Sequence, residues 1–231
     1  TGSFLSMPRT DIGTLILEKE SSRSYKMQTR PFLDIRVAIE IIAKEMKARM
    51  GEINLGFAGT FHGFCAKVLK MDGQAIGIDK NFLIYDDNDQ KDLVKEILND
   101  LGVKDSVKPS SILYSISEAK NQMLSPQSFA EIATGDLGEI TSKVYIKYEK
   151  RLSEINALDF DDLLLKTVKL FEVSEVLKKW QTKIQQIFVD EWQDTNKIQY
   201  KLIKLIDGNR GIITAVGDAS QSVYSWRGAD Y

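Results

Sequence analysis

Between Ile35 and Met50 the apolar residues fall at Ile35, Ile39, Ile42, Met46 and Met50, with lysines and glutamates between them. That spacing predicts a helix with one apolar face. The run LGFAGTFHGFCAKVLK predicts a short strand that turns at Gly59–Thr60 into another helix. Residues 85–154 are polar and helical in rhythm. DDNDQKDLVKEILNDLG opens on Asp/Asn capping residues and stops at Gly102, KPSSILYSISEAKNQM begins behind Pro109, and SPQSFAEIA starts a further helix. SKVYIKYEKRLSEINALDFDDLLLKTVKLFE predicts a long helical stretch with a break near Asn156. Residues 1–34 carry little pattern beyond TLILEK, which predicts one short strand.

After Lys183 the rhythm changes. IQQIFVD and GIITAVGD are β-rich apolar runs, each ending in Asp, and NKIQYKLIKLIDG between them is helical and closes at Gly208. Strand, helix, strand predicts a parallel α/β unit. The fold class expected is therefore α/β, a parallel-sheet core with an all-helical insertion. Residues 1–34 stay unassigned, 35–84 and 155–231 form the two parts of the core, and 85–154 form the insertion.

Composition narrows the function. The chain has 231 residues with 31 basic against 33 acidic side chains, a net charge of -2, so any nucleic-acid site must be local. One cysteine, Cys65, excludes an internal disulfide and fits a reducing cytosol. It reads as a core residue. No apolar run approaches the about 20 residues a membrane span needs, and no secretory pattern is present. The expected setting is cytoplasmic, without a membrane partner. The chain begins at Thr1 rather than Met, so it is expected to be a piece of a longer product.

The chemistry concentrates in IFVDEWQDTN, Ile187–Asn196, where an apolar run stops at Asp190 and Glu191 and a third acid follows at Asp194. Charge at the edge of a core needs compensation. Either Asp190 or Asp194 caps the following helix, or Asp190 holds Mg²⁺ through water and Glu191 acts as general base. Ligands of parallel sheets bind where strands finish, and both Asp190–Glu191 and Gly217–Asp218 stand there.

VDEWQDTN followed by VGDASQSVYSWRGAD resembles the UvrD/Rep type of superfamily-one DNA helicases, ATP-driven motors that move along single-stranded DNA, typically 3′ to 5′. GTFHGFC and NALDFDDLLL resemble two further motifs of that family, in its order, and the resemblance covers roughly residues 43–231. It implies a partial RecA-like, P-loop NTPase-type core, ATP and Mg²⁺ as cofactors, and single-stranded DNA as partner. Asp190 matches the Mg²⁺-associated acid and Glu191 the base that activates water. Gln193 and Asp218 fall on the nucleotide side, and Gln221 matches the γ-phosphate sensor. Tyr224 and Trp226 belong to the base-stacking segment, and Arg227 is an ion-pair or DNA-facing residue. Thr60, Phe61 and His62 match a segment lying against the DNA backbone. The motif Asp159–Asp162 lies at the junction of insertion and core, and Asp162 is grouped with the DNA side. By their residue types alone, Asp159, Asp161 and Asp162 read as a solvated helix start, and His62 and Trp226 as core. Trp192 stands where most relatives carry tyrosine.

Departures qualify the resemblance. No GxxxxGK[ST] cradle occurs, and no Gly is followed by Lys. The adenine-contacting glutamine segment is unrecognisable. AKEMKARM matches the tail of the next motif, but Ile39, Glu40 and Ile41 replace its Thr-Asn-Lys core. The chain ends at Tyr231, where a second motor domain would begin and supply an arginine. Two functions follow: part of a helicase, inactive alone, whose partners are the second motor domain or other repair and replication proteins; or a non-catalytic module binding single-stranded DNA or protein. A metal-dependent nuclease is a distant third, since no Glu-x-Lys follows an acid strand.

Overall fold

The computed structural model describes residues 14–18, as backbone, together with 56–103 and 107–217. The expected helix over 35–50 and everything from Asp218 onward, including Gln221, Tyr224, Trp226 and Arg227, lie outside the described residues. In chain order the elements are β1 (Thr14–Glu18), β2 (Phe57–Thr60), α1 (Phe61–Asp72), β3 (Leu83–Ile84), α2 (Asp87–Asp100), α3 (Pro109–Asn121), α4 (Pro126–Ile132), α5 (Gly135–Glu154), β4 (Ala157–Leu158), α6 (Phe160–Leu170), α7 (Ser174–Lys183), β5 (Gln186–Val189), α8 (Lys197–Asp207) and β6 (Ile213–Ala215). They divide into two compact units, one within residues 1–64, 174–195 and 203–231, the other within 65–173 and 196–202.

The first unit holds a four-stranded sheet of order β2-β1-β5-β6. All three pairings are parallel, with Leu17 level with both Gly59 and Val189, and Val189 level with Ala215. TLILE thus supplies a short strand, as expected, and the sheet places it in the interior; strand–helix–strand after Lys183 is correct. In β5, Ile187 and Val189 share one face and are almost fully buried, while Phe188 on the opposite face is partly buried. Phe64 stands edge-on to both Phe57 and Trp180 at 5.6 Å. α8 ends at Gly208, whose φ of +55° suits glycine, and Arg210 covers the helix end by donating to the carbonyls of Ile206 and Asp207.

The second unit is the helical insertion with a two-stranded parallel sheet, β3-β4. Its core gathers Val94, Ile97, Ile112, Ile116, Val144, Tyr145 and Leu152 from α2, α3 and α5. Local chemistry sets the helix starts. Asp86 and Asp89 form a reciprocal capping box on α2, Pro109 and Pro126 occupy first turns, and Ser125 caps α4 through Ser128 N. The long helical stretch breaks where anticipated. Asn156 takes φ +51° after α5, and Ala157–Leu158 pair with β3 before α6 resumes. The architecture is a mixed α/β domain with a small parallel core and a large helical insertion.

Candidate nucleotide and DNA site

β5 delivers Asp190 to the C-terminal edge of the sheet. The chain leaves β1 toward β2 and leaves β5 toward β6, so the gap between β1 and β5 is where connections diverge. Such a gap is the usual ligand crevice of an open α/β sheet. The next residue, Glu191, takes the left-handed conformation, φ 51° and ψ 46°, which is costly for a side chain with a Cβ and persists only where its surroundings hold it. Here they do. Trp192 N donates to Val216 O at 2.9 Å, Asp194 N to Glu191 O at 2.9 Å, and Thr195 N to Trp192 O at 3.0 Å. Asp190 Oδ1 accepts from Glu191 N at 3.0 Å, and the largely buried Gln193 donates from Nε2 to Glu191 Oε2 at 2.5 Å.

Gly217 closes the turn from β6. A Cβ there would collide with Gln193 Oε1 and lie 3.1 Å from both Trp192 N and Trp192 Cβ, so glycine fits this approach without displacing the Gln193 side chain. Burial, with the neighbouring Glu191 charge, raises the Asp190 carboxyl above its ordinary range despite the hydrogen bond from Glu191 N. A nearby cation would relieve that cost, and two hard oxygen donors on adjacent residues suit Mg²⁺. The alternative of a cap is resolved in favour of another residue. Asn196 caps α8, its Oδ1 accepting from Gln199 N at 2.9 Å while its own N donates to Gln199 Oε1 at 3.1 Å.

Thr60 ends β2 level with Glu18, and Asp190 stands one step beyond Val189, which is level with Leu17. The two therefore share the same edge, separated by two strand spacings of about 5 Å each. Thr60 Oγ1 accepts from Gly63 N at 3.1 Å and caps α1. His62 is half-buried. Phe61 opens α1 and is only 4% exposed, its ring largely enclosed within the chain.

The reading of the helix start at Asp159–Asp162 is corrected. The expected solvated helix start at Asp159–Asp162 is instead a buried ion cluster, with Asp159 and Asp162 almost wholly enclosed. Lys120 Nζ, itself 0% exposed, lies 2.6 Å from Glu149, 2.7 Å from Asp159 and 3.1 Å from Asp162. Tyr148 donates to Asp159 Oδ2 at 3.0 Å, and Asp159 Oδ1 caps α6 through Asp162 N at 2.8 Å. The three carboxylates have metal-site spacing, but the ammonium already occupies their common centre. Burial alone would lower Lys120, yet Asp162, Asp159 and Glu149 hold it well above the ordinary lysine range. Burial and the Asp162 charge raise Glu149 against the pull of Lys120. Asp162 is lowered because Lys120 and Lys166 outweigh its burial. Sequence reasoning missed Lys120. Its signal was position: Ile112, Ile116, Ala119 and Lys120 share the buried face of α3.

This arrangement defines a mixed α/β core of partial RecA-like type with paired acids at its ligand edge. The chain belongs to the UvrD/REP helicase N-terminal domain family, whose model matches residues 39–231. It is 43% identical over 196 residues to the ATP-dependent DNA helicase PcrA of Bacillus subtilis (strain 168), a match covering 81% of this chain and 26% of that protein. It is 42% identical over 196 residues to PcrA of Staphylococcus aureus (strain Mu50), covering 81% and 27%, and 41% identical over 195 residues to PcrA of Staphylococcus epidermidis (strain ATCC 12228), again covering 81% and 27%. The chain thus spans about a quarter of the length of these curated relatives. Among the described residues no helix is long and apolar enough to cross a membrane.

Proposed function

We propose that this chain is part of the first motor domain of an ATP-dependent DNA helicase that moves 3′ to 5′ on single-stranded DNA. Asp190 would hold Mg²⁺, Glu191 would accept a proton from the attacking water, and Gln193 orients Glu191. Bound magnesium supplies charge neutralisation at the phosphate oxygens. Asp218 and Gln221 complete the nucleotide side; Thr60, His62, Tyr224, Trp226 and Arg227 form the DNA side. The observation that carries this reading is the Asp190–Glu191 turn, held in a left-handed conformation at the ligand edge of the sheet. The chain alone is inactive, because its sequence offers no GxxxxGK[ST] cradle, and positioning with charge stabilisation is nearly all of phosphoryl-transfer catalysis. That same departure favours a second reading, a non-catalytic module for single-stranded DNA.

The test has three arms on the purified chain. Mn²⁺, as a probe for Mg²⁺, should raise the melting temperature, and Asp190→Asn should abolish the rise; an unchanged rise would remove Asp190 from the metal site. ATP turnover with oligonucleotide should not exceed that of Glu191→Gln, and turnover of several per second sensitive to that substitution would overturn the inactivity. Anisotropy of a labelled oligonucleotide should show weak binding that Trp226→Ala diminishes further, since stacking contributes about 1–3 kcal/mol per base. Equal affinities would return Trp226 to the core.

A further inference from the structure

We propose that Glu149 of α5 carries a proton that it shares with Asp162 of α6, so that the buried ion cluster of the helical unit closes without net charge. Glu149, Asp159 and Asp162 present oxygens within 4.8 Å of one another. Among the described residues two ammonium groups face them. Lys120 of α3 sits at their centre, and Lys166 of α6 lies 3.4 Å from Asp162 Oδ1 and 3.7 Å from Glu149 Oε2. With all three acids ionised, one negative charge is left over where Lys120, Asp159 and Asp162 are almost wholly enclosed. Carboxylates this close in a low-dielectric site do not all ionise, so the group keeps one proton.

Hydrogen bonding identifies the pair that holds it. Asp159 is well supplied in its ionised form, with Lys120 Nζ at 2.7 Å and Tyr148 at 3.0 Å on Oδ2, and Asp162 N at 2.8 Å on Oδ1. Asp162 is 1% exposed, yet neither of its side-chain oxygens accepts a hydrogen bond among the described residues. Buried acceptors are rarely left so. The neighbouring donors are committed elsewhere: Tyr148 to Asp159, Tyr145 to Leu124 O at 3.1 Å, Thr167 to Leu163 O at 2.7 Å and Asn121 to Asp161 at 3.2 Å. A protonated Glu149 supplies the missing donor. Its Oε1 is likewise buried without a hydrogen bond, while the side chain as a whole is 23% exposed and can exchange a proton with solvent. Burial and the Asp162 charge raise Glu149, whereas Asp162, despite its burial, is lowered by Lys120 and Lys166; the proton therefore resides on Glu149. Its O–H ties α5 to α6, and losing the proton sets two carboxylates against each other.

The experiment is carboxyl-carbon NMR of the whole chain against pH, following Glu149 and Asp162. Glu149 should titrate above the about 4.3 of an unfolded glutamate. The Asp162 carbon should show an inflection at the Glu149 midpoint, because groups that share a proton titrate together. Asp162→Asn removes the partner charge and should lower the proton affinity of Glu149 about tenfold or more. Glu149→Gln, whose amide donates without titrating, should keep the chain folded and abolish the Asp162 inflection. Glu149 titrating as an unfolded glutamate, an unchanged Glu149 midpoint in Asp162→Asn, or an Asp162 inflection that survives Glu149→Gln would overturn the proposal. An Asp162 carbon silent at the Glu149 midpoint would overturn it as well, and would leave a buried water as the donor. If Asp162→Asn does not fold, the two carbons of the unsubstituted chain decide.

Discussion

Gln193 Nε2 donates to Glu191 Oε2 at 2.5 Å, so the Gln of the turn sets the direction of its Glu. Gly217 faces the other end of the same amide, leaving no room for a side chain beside Gln193 Oε1. Gly217→Ala should destabilise the chain by about 1–3 kcal/mol, the usual cost of overpacking. Gly217→Ala with Gln193→Ala should cost less than the sum of the two single substitutions, because the colliding oxygen is gone. Urea denaturation of the four proteins gives the coupling; strict additivity would mean that the two residues do not meet.

Lys120→Met should be the most damaging single substitution in the helical unit. It leaves Glu149, Asp159 and Asp162 without their shared counter-ion, and breaking a buried pair from one side costs about 3–5 kcal/mol. Adding Asp162→Asn and Glu149→Gln should recover part of the loss. A small effect of Lys120→Met, measured by the same denaturation, would show that water reaches the cluster.

Acid should act through Asp162. Its carboxyl is lowered in the folded chain, so its contribution is fully present above its unfolded value of about 3.9 and is lost as pH falls through the folded one. Glu149 is raised and has the opposite sign, costing stability as pH climbs above its unfolded value of about 4.3. Lys120, raised well above its ordinary range, contributes below about 10.4 and loses that contribution only as pH rises through the higher folded value. Asp162→Asn should therefore flatten the acid limb of stability against pH, and Glu149→Gln should be the milder change at pH 7. Reversed severities at pH 7 would contradict the assigned directions.

Cys65 should be inert while the chain is folded. It is 0% exposed, and burial pushes its thiol up to about 12 against a hydrogen bond with Thr167. At pH 8 about one thiol in 10⁴ would be ionised even if reagent arrived. Reaction with a thiol-reactive disulfide should therefore follow unfolding and complete at once in denaturant. Rapid labelling of the native chain would place Cys65 at the surface.

Much was legible in the sequence because local chemistry encodes it. β-rich apolar runs ending in Asp marked β5, Asp/Asn capping residues marked the start of α2, and Gly208 stopped α8, each through contacts within a few residues. The acids at the end of β5 were equally readable, since a strand that stops in two carboxylates exposes its chemistry in one line. The choice between cap and ligand was not. Asn196, rather than Asp190 or Asp194, took the cap, and that depended on where the turn left each side chain. Asp159 and Asp162 read as a solvated helix start because nothing near them in the chain opposes it. Their counter-ion lies 39 residues before Asp159, on α3, and only folding brings it within 3.1 Å of both. Phe61 faced the core for the same kind of reason. The sequence by itself determined the elements, their order and the residues that carry charge; the tertiary structure decided which of those charges are enclosed, because burial and pairing are properties of neighbours that the chain acquires only on folding.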